Sequence, residues 1–400
     1  MSNQTLTAPK GFRAAAVQAG IKTSGRLDLG LIAAPCSCSA AAAFTTNKIV
    51  AAAVVIDKER IRAGRARAIF INAGNANACT GKRGARDVHT ISLEVARHLD
   101  IKPDEVLVCS TGIIGQFLPM DKVRAGISRA AAGLSGSAQA AKDLARAILT
   151  TDLKTKTAYE KFILHGKQVQ IAGIAKGSGM IAPHLATLLA FITTDAAISP
   201  AMLRRALRQS VAQTFNKVNV DNHMSTSDTV IVLASGLANH KRIVKTGRDY
   251  ERFARALGKI CDSLAYQVAA DGEGATCTVT VKVKGAAGPG DARRALRAIV
   301  ESPLVRCAFN GADPNWGRII SAVGYSRARF DPEALSCKIA GVRVFHRGRP
   351  CRFDPAQLSR RMKDKQWQVE VHLGAGKYAD FCYTCDLSKA YVSINADYHT

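Results

Sequence analysis

The sequence predicts an α+β protein, in which helices and mixed sheets pack in layers and a smaller C-terminal α/β domain follows. Helical and strand-like apolar periods both occur along the 400 residues, and 47% of the residues are hydrophobic. The predicted helices and strands do not follow one another in the strict alternation that is typical of an all-parallel sheet. A chain of this length can bury a large core and is long enough for roughly two or three domains.

Helices and strands in the middle of the chain are predicted from the spacing of apolar residues and from the residues that cap helices or form turns. Ser199 and Pro200 form an N-cap and first-turn pair, and apolar residues recur at helical spacing over 202–211. The same period over 253–268 predicts another helix. "TCTVTVKV" at 276–283 alternates strictly, which predicts a half-buried strand with Cys277 and the valines on one face.

A linker and further strands are predicted after this point. "GAAGPGD" at 285–291 is rich in glycine and predicts a domain boundary, with Asp291 as the cap of the next helix. "SCKIAGVRVF" and "WQVEVHL" read as strands. The C-terminal domain should therefore mix helices and strands.

The composition and the absence of an export signal favour a cytoplasmic, soluble globular protein. The first residues, "MSNQTLTAPKGFRAA", are polar where an export signal would be apolar. The longest apolar run, at 176–191, is interrupted by Pro183 and His184 and falls short of the roughly 20 residues needed to span a bilayer. We therefore expect neither secretion nor a membrane span.

The 11 cysteines are expected to be reduced packing residues, because their number is odd and they are scattered through a long chain. Cys36 with Cys38, and the C-x-x-C pair Cys382 and Cys385, are the candidates for zinc or redox chemistry. A structural zinc needs four ligands, and neither pair has a partner pair at convincing spacing. No metal site and no bound cofactor are predicted.

The formal net charge of +25 raises nucleic acid as a partner. The basic residues are spread along the chain, however, and aromatic residues that could stack on bases make up only 6%. Solvated basic surfaces explain the pattern, and they would also attract a small anionic substrate. We therefore expect neither a nucleic-acid nor a membrane partner.

Four glycine-rich or polar clusters interrupt the predicted elements, where loops carry function. A tight turn that uses glycine for positive φ explains any one of them, but four together suggest a site. They are "NAGNANACTG" at 72–81, "CSTGIIG" at 109–115, "DGEGAT" at 271–276 and "NGADPNWGR" at 310–318.

A hydroxyl stands in the apolar part of "KGSGMIAPHLATLLAF", where Ala186 precedes Thr187. Threonine tolerates burial when its hydroxyl bonds to a carbonyl one turn earlier, which is the structural explanation. The alternative is that Thr187 is a nucleophile. If the bond between Ala186 and Thr187 were cleaved, the new terminal amine, with an intrinsic pKa of about 7.7 to 8.0, could serve as its base.

These motifs resemble the ornithine acetyltransferase family, also called glutamate N-acetyltransferase, of arginine biosynthesis. The resemblance rests on the Thr187 stretch, "GNANACTG", "STGIIG", "DGEGAT", "ADPNWGR" and the terminal "YVSINADYHT", and it runs from "PKGFRAAAVQAGIK" to the last residue. It implies self-cleavage into an α chain of residues 1–186 and a β chain of residues 187–400, assembled as an α2β2 heterotetramer.

The resemblance also implies a ping-pong mechanism on an N-terminal-nucleophile fold. Thr187 would take the acetyl group from N-acetylornithine, release ornithine and pass the acetyl group to glutamate, forming N-acetylglutamate. Some members of the family also accept acetyl-CoA. Thr111 and Gly112 would form the oxyanion hole. The implied substrate contacts are Thr150, Lys176, Thr187, Glu273, Asn395 and Thr400.

Three departures from the family pattern lie beside these contacts: Leu153 with Thr155, Cys277, and the segment 220–228. They leave the acyl-transfer residues in place and bear on substrate preference. Two alternatives remain at this point. One is a related self-processing hydrolase or aminopeptidase with water as acceptor, and the other is a basic nucleic-acid-binding protein without enzymatic activity.

Overall fold

A computed structural model describes residues 4–182 and 188–397 of the chain. The strands are β1 (Arg13–Val17), β2 (Leu29–Phe44), β3 (Arg65–Asn75), β4 (Val106–Ile113), β5 (Lys156–Leu164), β6 (Lys167–Lys176), β7 (Leu189–Thr194), β8 (Val218–Asn219), β9 (Thr229–Ala234), β10 (Thr278–Ala286), β11 (Ser336–Ile339), β12 (Val342–His346), β13 (Arg349–Pro350), β14 (Gln366–His372) and β15 (Tyr378–Cys385). The α-helices are α1 (Ala52–Arg60), α2 (Gly81–Leu99), α3 (Met120–Ala132), α4 (Ala138–Ala147), α5 (Pro200–Gln213), α6 (Arg248–Ala270), α7 (Pro289–Glu301), α8 (Pro303–Asn310), α9 (Trp316–Tyr325), α10 (Pro355–Met362) and α11 (Lys389–Asp397).

The described residues form two compact units. The N-terminal unit contains the chain up to Asn216 together with His223–Val268. The C-terminal unit contains Lys217–Asn222 and the chain from Ala269 onward. The linker predicted at 285–291 falls within the C-terminal unit, where β10 ends and α7 begins.

The N-terminal unit is built on one mixed sheet with the strand order β4-β3-β2-β9-β7-β6-β5 and with β1 beside β2. The pairs β3 with β4 and β7 with β9 are parallel, whereas the other neighbours are antiparallel. Parallel neighbours end at the same edge of a sheet, so the loops that follow β3 and β4 lie together. This edge carries two of the four polar clusters.

Side-chain alternation along β3 separates two apolar layers in this unit. Ile69 and Ile71 pack in one buried cluster with Leu144 of α4. Phe70, between them in sequence, packs in another cluster with Ile91 of α2. The sheet is therefore covered on both faces, and the predicted layered α+β architecture is confirmed.

The C-terminal unit has its own mixed sheet, with the strand order β13-β12-β11-β14-β10-β15-β8. Val279, Val281 and Val283 of β10 are fully buried, as their alternation predicts, and they share a cluster with Ile299 of α7. The predicted start of α5 is also confirmed, because Ser199 caps that helix by accepting a hydrogen bond from the Met202 N–H.

The predicted cap of α7 is wrong. The helix begins at Pro289 after Gly288, whose N-cap position has no side-chain hydrogen bond. Asp291 instead lies in the first turn, where Arg294 and Arg329 bind its carboxylate. A hydrogen bond from the Arg329 N–H is the main reason why the pKa of Asp291 is lowered to about 2. Arg329 is distant in sequence, so the residues around Asp291 could not reveal that its carboxylate binds arginines and does not cap the helix.

Candidate functional site

The predicted oxyanion residues lie where β4 reaches the edge of the sheet. Thr111 and Gly112 are aligned with Ala73 and Gly74 of the parallel neighbour β3, and the register shifts at the next residue, Asn75. Such an irregularity bends a strand and redirects its backbone groups. The alignment of β3 with β4 places the polar clusters 72–81 and 109–115 side by side.

Gly112 is required by this close approach. Its φ of +130° is a conformation that residues with a side chain rarely adopt. A Cβ atom there would lie 2.3 Å from the carbonyl carbon of Gly74 and 2.5 Å from the Asn75 nitrogen. Because both atoms belong to the backbone, they cannot rotate away, and the turn can be built only with glycine.

Asparagine side chains hold the neighbouring turn. Ser110 donates to the Asn72 side chain at 2.7 Å, and Asn72 in turn donates to the Asn75 carbonyl at 2.9 Å. The Asn75 side chain donates to the carbonyls of Gln116 and Phe117, both at 3.2 Å. A buried network with paired donors and acceptors fixes a single backbone conformation. The turn is therefore rigid before any substrate arrives.

A cationic group contacts the Thr111 hydroxyl. Lys176, the last residue of β6, approaches Thr111 Oγ1 with its Nζ at 3.5 Å, and both side chains are buried. An ammonium in such a position stabilises negative charge more strongly than it would in water, because the surroundings are poorly polarisable. The structure thus joins two residues that are 65 positions apart in the chain.

Asp152 connects this pair to Thr150. One carboxylate oxygen accepts from Lys156 Nζ and from the Gly177 N–H, both at 2.7 Å. The other accepts from the Thr150 N–H at 3.1 Å. Burial alone would raise the pKa of Asp152, but Lys176, Lys156 and these hydrogen bonds outweigh it and lower that pKa. Asp152 therefore stays ionised and fixes the backbone beside two predicted contacts.

A third lysine lies near this group. Asp28 accepts from the backbone N–H groups of residues 19–22, at 2.6 to 3.0 Å, and so fixes the turn that carries Lys22. Burial, together with repulsion from Lys176, lowers the pKa of Lys22 to about 8, although Asp28 acts in the opposite direction. The Lys22 stem lies against Gly74, where a Cβ would be 3.0 Å from its Cγ.

The C-terminal unit brings Glu273 and Asn395 together. The Asn395 amide donates to Glu273 Oε2 at 2.9 Å and to the Tyr391 carbonyl at 3.0 Å. Glu273 is largely buried and lies in the "DGEGAT" cluster. Ser388, just before α11, donates to the carbonyl of Gly274 at 2.6 Å and accepts from the Tyr391 N–H at 3.2 Å. The helix and the cluster are thus bound to each other at several points.

The remaining polar cluster joins the same network. Asp386 accepts hydrogen bonds from the Thr276 hydroxyl at 2.8 Å and from the Asn310 amide at 2.6 Å. It therefore links the end of "DGEGAT" to the beginning of "NGADPNWGR". Clusters that are separate in sequence are brought together by one buried carboxylate.

The predicted site residues fall into three groups. Thr111, Gly112, Thr150 and Lys176 belong to the N-terminal unit, whereas Glu273 and Asn395 belong to the C-terminal unit. Ala186, Thr187 and Thr400 lie outside the described residues. The roles assigned to all of them stay predictions.

Sequence reasoning missed the supporting residues Asp152, Asp28 and Asn72. Only Asn72 stood in a cluster that had been singled out. The other two are isolated acidic residues, and an isolated aspartate is most often a surface residue. Their burial depends on contacts with distant segments, so no local signal could have found them.

The departures from the family pattern differ in their surroundings. Leu153, directly after Asp152, is 83% exposed, so its side chain is available to a substrate or a partner. Cys277 is buried, and burial together with the nearby Asp386 raises the pKa of its thiol to about 12. The Cys277 thiol is therefore a packing group at neutral pH.

Residues 4–182 and 188–397 contain neither a metal-binding cluster nor a membrane-spanning helix. Within these ranges, no three His, Cys, Asp or Glu side chains come together in a way that could hold a metal ion. None of the 11 cysteines, all of which lie within these ranges, is joined in a disulfide. None of the helices in the described ranges is both long and apolar enough to cross a membrane.

Comparison with known proteins gives the family. Residues 13–400 match the ArgJ family. The arginine biosynthesis bifunctional protein ArgJ of Symbiobacterium thermophilum is 45% identical over 397 residues, covering 99% of this chain and 98% of the relative. That of Geobacter sulfurreducens is 45% identical over 394 residues, covering 98% and 99%.

A solved structure also matches. The arginine biosynthesis bifunctional protein argJ of Bacillus halodurans is 40% identical and covers 46% of this chain and 95% of its own, with a TM-score of 0.44. The assignment rests on the sequence matches, which extend over almost the whole chain. The chain therefore belongs to the ArgJ family, the enzyme family that its motifs predicted.

Proposed function

We propose that this chain is a cytoplasmic acetyltransferase of arginine biosynthesis, which transfers the acetyl group of N-acetylornithine to glutamate through Thr187. The observation that carries the proposal is the contact between Lys176 and the Thr111 hydroxyl, beside the glycine turn at the end of β4. Acyl transfer needs donors that are fixed where negative charge develops, and the hydrogen-bonded turn at Thr111 and Gly112 supports this role. Family membership supports the same reaction class.

The nucleophile is made by self-cleavage in this proposal. The Thr187 hydroxyl attacks the carbonyl carbon of Ala186, so that a C–O bond forms, the C–N bond breaks and the Thr187 nitrogen takes the hydroxyl proton. Water then hydrolyses the ester, which leaves a free amine and hydroxyl on Thr187. The products are the α chain, residues 1–186, and the β chain, residues 187–400, assembled as an α2β2 heterotetramer.

Acetyl transfer follows in two steps. The Thr187 hydroxyl attacks the acetyl carbonyl of N-acetylornithine, and the departing ornithine amine takes the proton through the Thr187 amine. The amine of glutamate then attacks the acetyl ester, so that a new C–N bond forms and the hydroxyl of Thr187 is restored. In each step, the Thr111 hydroxyl and the Gly112 N–H stabilise the oxyanion.

The remaining residues bind the substrates. Lys176 pairs with a substrate carboxylate, which suits its buried and positively charged surroundings. Glu273 receives the amine that must lose its proton, and Asn395 orients the Glu273 carboxylate through the hydrogen bond between them. Thr150 and Thr400 complete the contacts. Acetyl-CoA is the second acetyl donor to be tested.

The test is to incubate the purified protein with N-acetylornithine and glutamate and to follow both ornithine and N-acetylglutamate. Equal amounts of the two products are expected. Omission of glutamate should stop turnover after one equivalent of ornithine per Thr187, because the acetyl group stays on the enzyme. Continued release of acetate would instead support the hydrolase alternative. Parallel reactions with acetyl-CoA and glutamate decide whether this donor is used.

A further inference from the structure

Leu188, the residue that follows Thr187, is held on both sides. Its N–H donates to Asp228 Oδ1 at 2.8 Å, and its carbonyl accepts from the Thr229 N–H at 3.0 Å. The parallel ladder between β7 and β9 begins one residue later, where Leu189 is aligned with Thr229. The Asp228 carboxyl thus supplies a hydrogen-bond acceptor just before the backbone ladder begins. The N–H that it binds belongs to the peptide bond between Thr187 and Leu188.

Asp228 occupies a buried position that is costly for a carboxyl group. Its side chain is 1% exposed, and among the described residues its second oxygen, Oδ2, has no hydrogen-bond partner. Burial raises the pKa of Asp228 well above its ordinary value, although the Leu188 N–H and the charge of Lys176 act against this. Burial thus disfavours the charged form of this carboxyl, and an amide of the same shape keeps an oxygen that can accept from the Leu188 N–H.

The segment around Asp228 is itself firmly anchored. The Asp228 carbonyl accepts from the Thr45 N–H at 2.9 Å, and the Thr45 hydroxyl donates to the Ser225 carbonyl at 2.9 Å. Ser225 also accepts a hydrogen bond from the Ser227 N–H at 3.1 Å. These bonds tie the segment before β9 to the end of β2, so Asp228 is a fixed point from which Leu188 can be oriented.

We propose that Asp228 is a positioning residue. It holds the peptide bond after Thr187 and so maintains the orientation that the nucleophile needs for self-cleavage and acetyl transfer. This inference rests on the proposed role of Thr187. Acyl transfer depends on reacting atoms about 3 to 3.5 Å apart, and a misplacement of about 1 Å can reduce the rate about a hundredfold. Because Leu188 directly follows residue 187, the bond from its N–H to Asp228 fixes the chain immediately after the nucleophile.

The competing explanation is that Asp228 only caps the sheet. In that case its removal would lower stability, while the folded enzyme would cleave itself and turn over normally. Asp195 provides the matched control, because it is a buried carboxyl directly after the other end of β7. It accepts from the Gln170 N–H at 2.8 Å and from the Lys10 N–H at 3.3 Å.

The experiment compares Asp228→Ala, Asp228→Asn and Asp195→Ala in the full chain, with rates normalised to the folded fraction. Asp228→Ala should slow self-cleavage and lower kcat about tenfold or more, with KM for N-acetylornithine changed less than about threefold. Asp228→Asn keeps an acceptor oxygen and should restore both rates to within about threefold. Asp195→Ala should lower stability and leave both rates within about threefold of the wild type.

Hydrogen exchange at the Leu188 amide provides a readout that does not depend on activity. Exchange should be faster in Asp228→Ala than in the wild type and should be restored in Asp228→Asn. If Asp228→Ala fails to fold, Asp228→Glu replaces it, because the added methylene displaces the carboxyl. Unchanged exchange at Leu188, unchanged rates in Asp228→Ala, or an asparagine variant as slow as the alanine variant would overturn the inference. A wild type without acetyl transfer would instead contradict the proposed function.

Discussion

Buried charges of opposite sign determine the character of the site at the scale of single residues. Asp152 and Asp28 both bind backbone N–H groups, and they offset the charges of Lys156 and Lys22. A buried ion pair is expensive to form, and it becomes strongly destabilising when one partner is removed. Lys156 and Asp152 form such a buried pair at 2.7 Å, and the Asp152 carboxylate also holds the N–H groups of Thr150 and Gly177.

The role of Thr111 can be tested by removing its hydroxyl. In the proposed mechanism, Thr111→Ala removes one of two oxyanion donors and should lower kcat roughly a hundredfold, while the protein still folds. Steady-state kinetics with N-acetylornithine and glutamate measure the effect.

Thr111→Ser is the matched control, since it keeps the hydroxyl and removes only a methyl group. Its kcat should lie within about tenfold of the wild type. If the alanine variant also turned over within a few-fold of the wild type, Thr111 would have no part in stabilising the oxyanion.

At the scale of elements, the parallel strands β3 and β4 assemble the polar loops. Parallel neighbours end at one edge, and the register between β3 and β4 shifts at Asn75, where β3 ends. Hydrogen bonds from Ser110 to Asn72 and from Asn75 to the Gln116 carbonyl then link the two segments. The turn at Thr111 and Gly112 is therefore a product of strand pairing as much as of its own residues.

Two glycines of the same loop provide a test of this packing. In Gly112→Ala the new Cβ would overlap the backbone of β3, 2.3 Å from the Gly74 carbonyl carbon, so the strands must separate. In Gly115→Ala the φ of +82° is also in the range that residues with a side chain rarely adopt, but no atom lies within 4 Å of the new Cβ.

Urea unfolding should therefore distinguish the two variants. Gly115→Ala should cost about 1 kcal/mol of unfolding free energy, from backbone strain alone. Gly112→Ala should cost about 3 kcal/mol or more and should abolish acetyl transfer, because strain and overlap are combined. Equal losses of stability in the two variants would contradict the close approach of β3 and β4.

At the scale of the whole molecule, the chain consists of two units with separate sheets and separate cores. The predicted cleavage point falls between β6 and β7, within the sequence range of the N-terminal unit. β6 and β7 are paired with each other over six aligned residues. Cleavage there would separate the chain covalently, while the hydrogen bonds between β6 and β7 would keep the two fragments in one sheet.

The purified wild-type protein should accordingly give two fragments on a denaturing gel and a single species under native conditions. Thr187→Ala should remain intact at 42.6 kDa, because it lacks the attacking hydroxyl. Thr187→Ser keeps a hydroxyl and should still be cleaved. Intact mass measurement locates the cut, and a fully active wild type that stays at 42.6 kDa would refute self-cleavage.

Elements with strong local signals could be predicted from the sequence, because their causes are local. The Ser199 cap and the alternation in β10 depend only on neighbouring residues. The cap of α7 was misassigned because Arg329, 38 positions away, binds the Asp291 carboxylate. The division of the chain after Val268 likewise depends on how distant segments pack.

The sequence by itself determined the family, the α+β class and the identity of Thr111, Gly112, Lys176 and Glu273 as candidates, because long motifs survive in recognisable order. Only the tertiary structure decided that Asp152 joins Thr150 to the lysines and that Asp228 holds the amide of Leu188. The physical reason is that burial and hydrogen bonding between distant segments set the character of a carboxyl group. Neither can be read from the residues on either side of it.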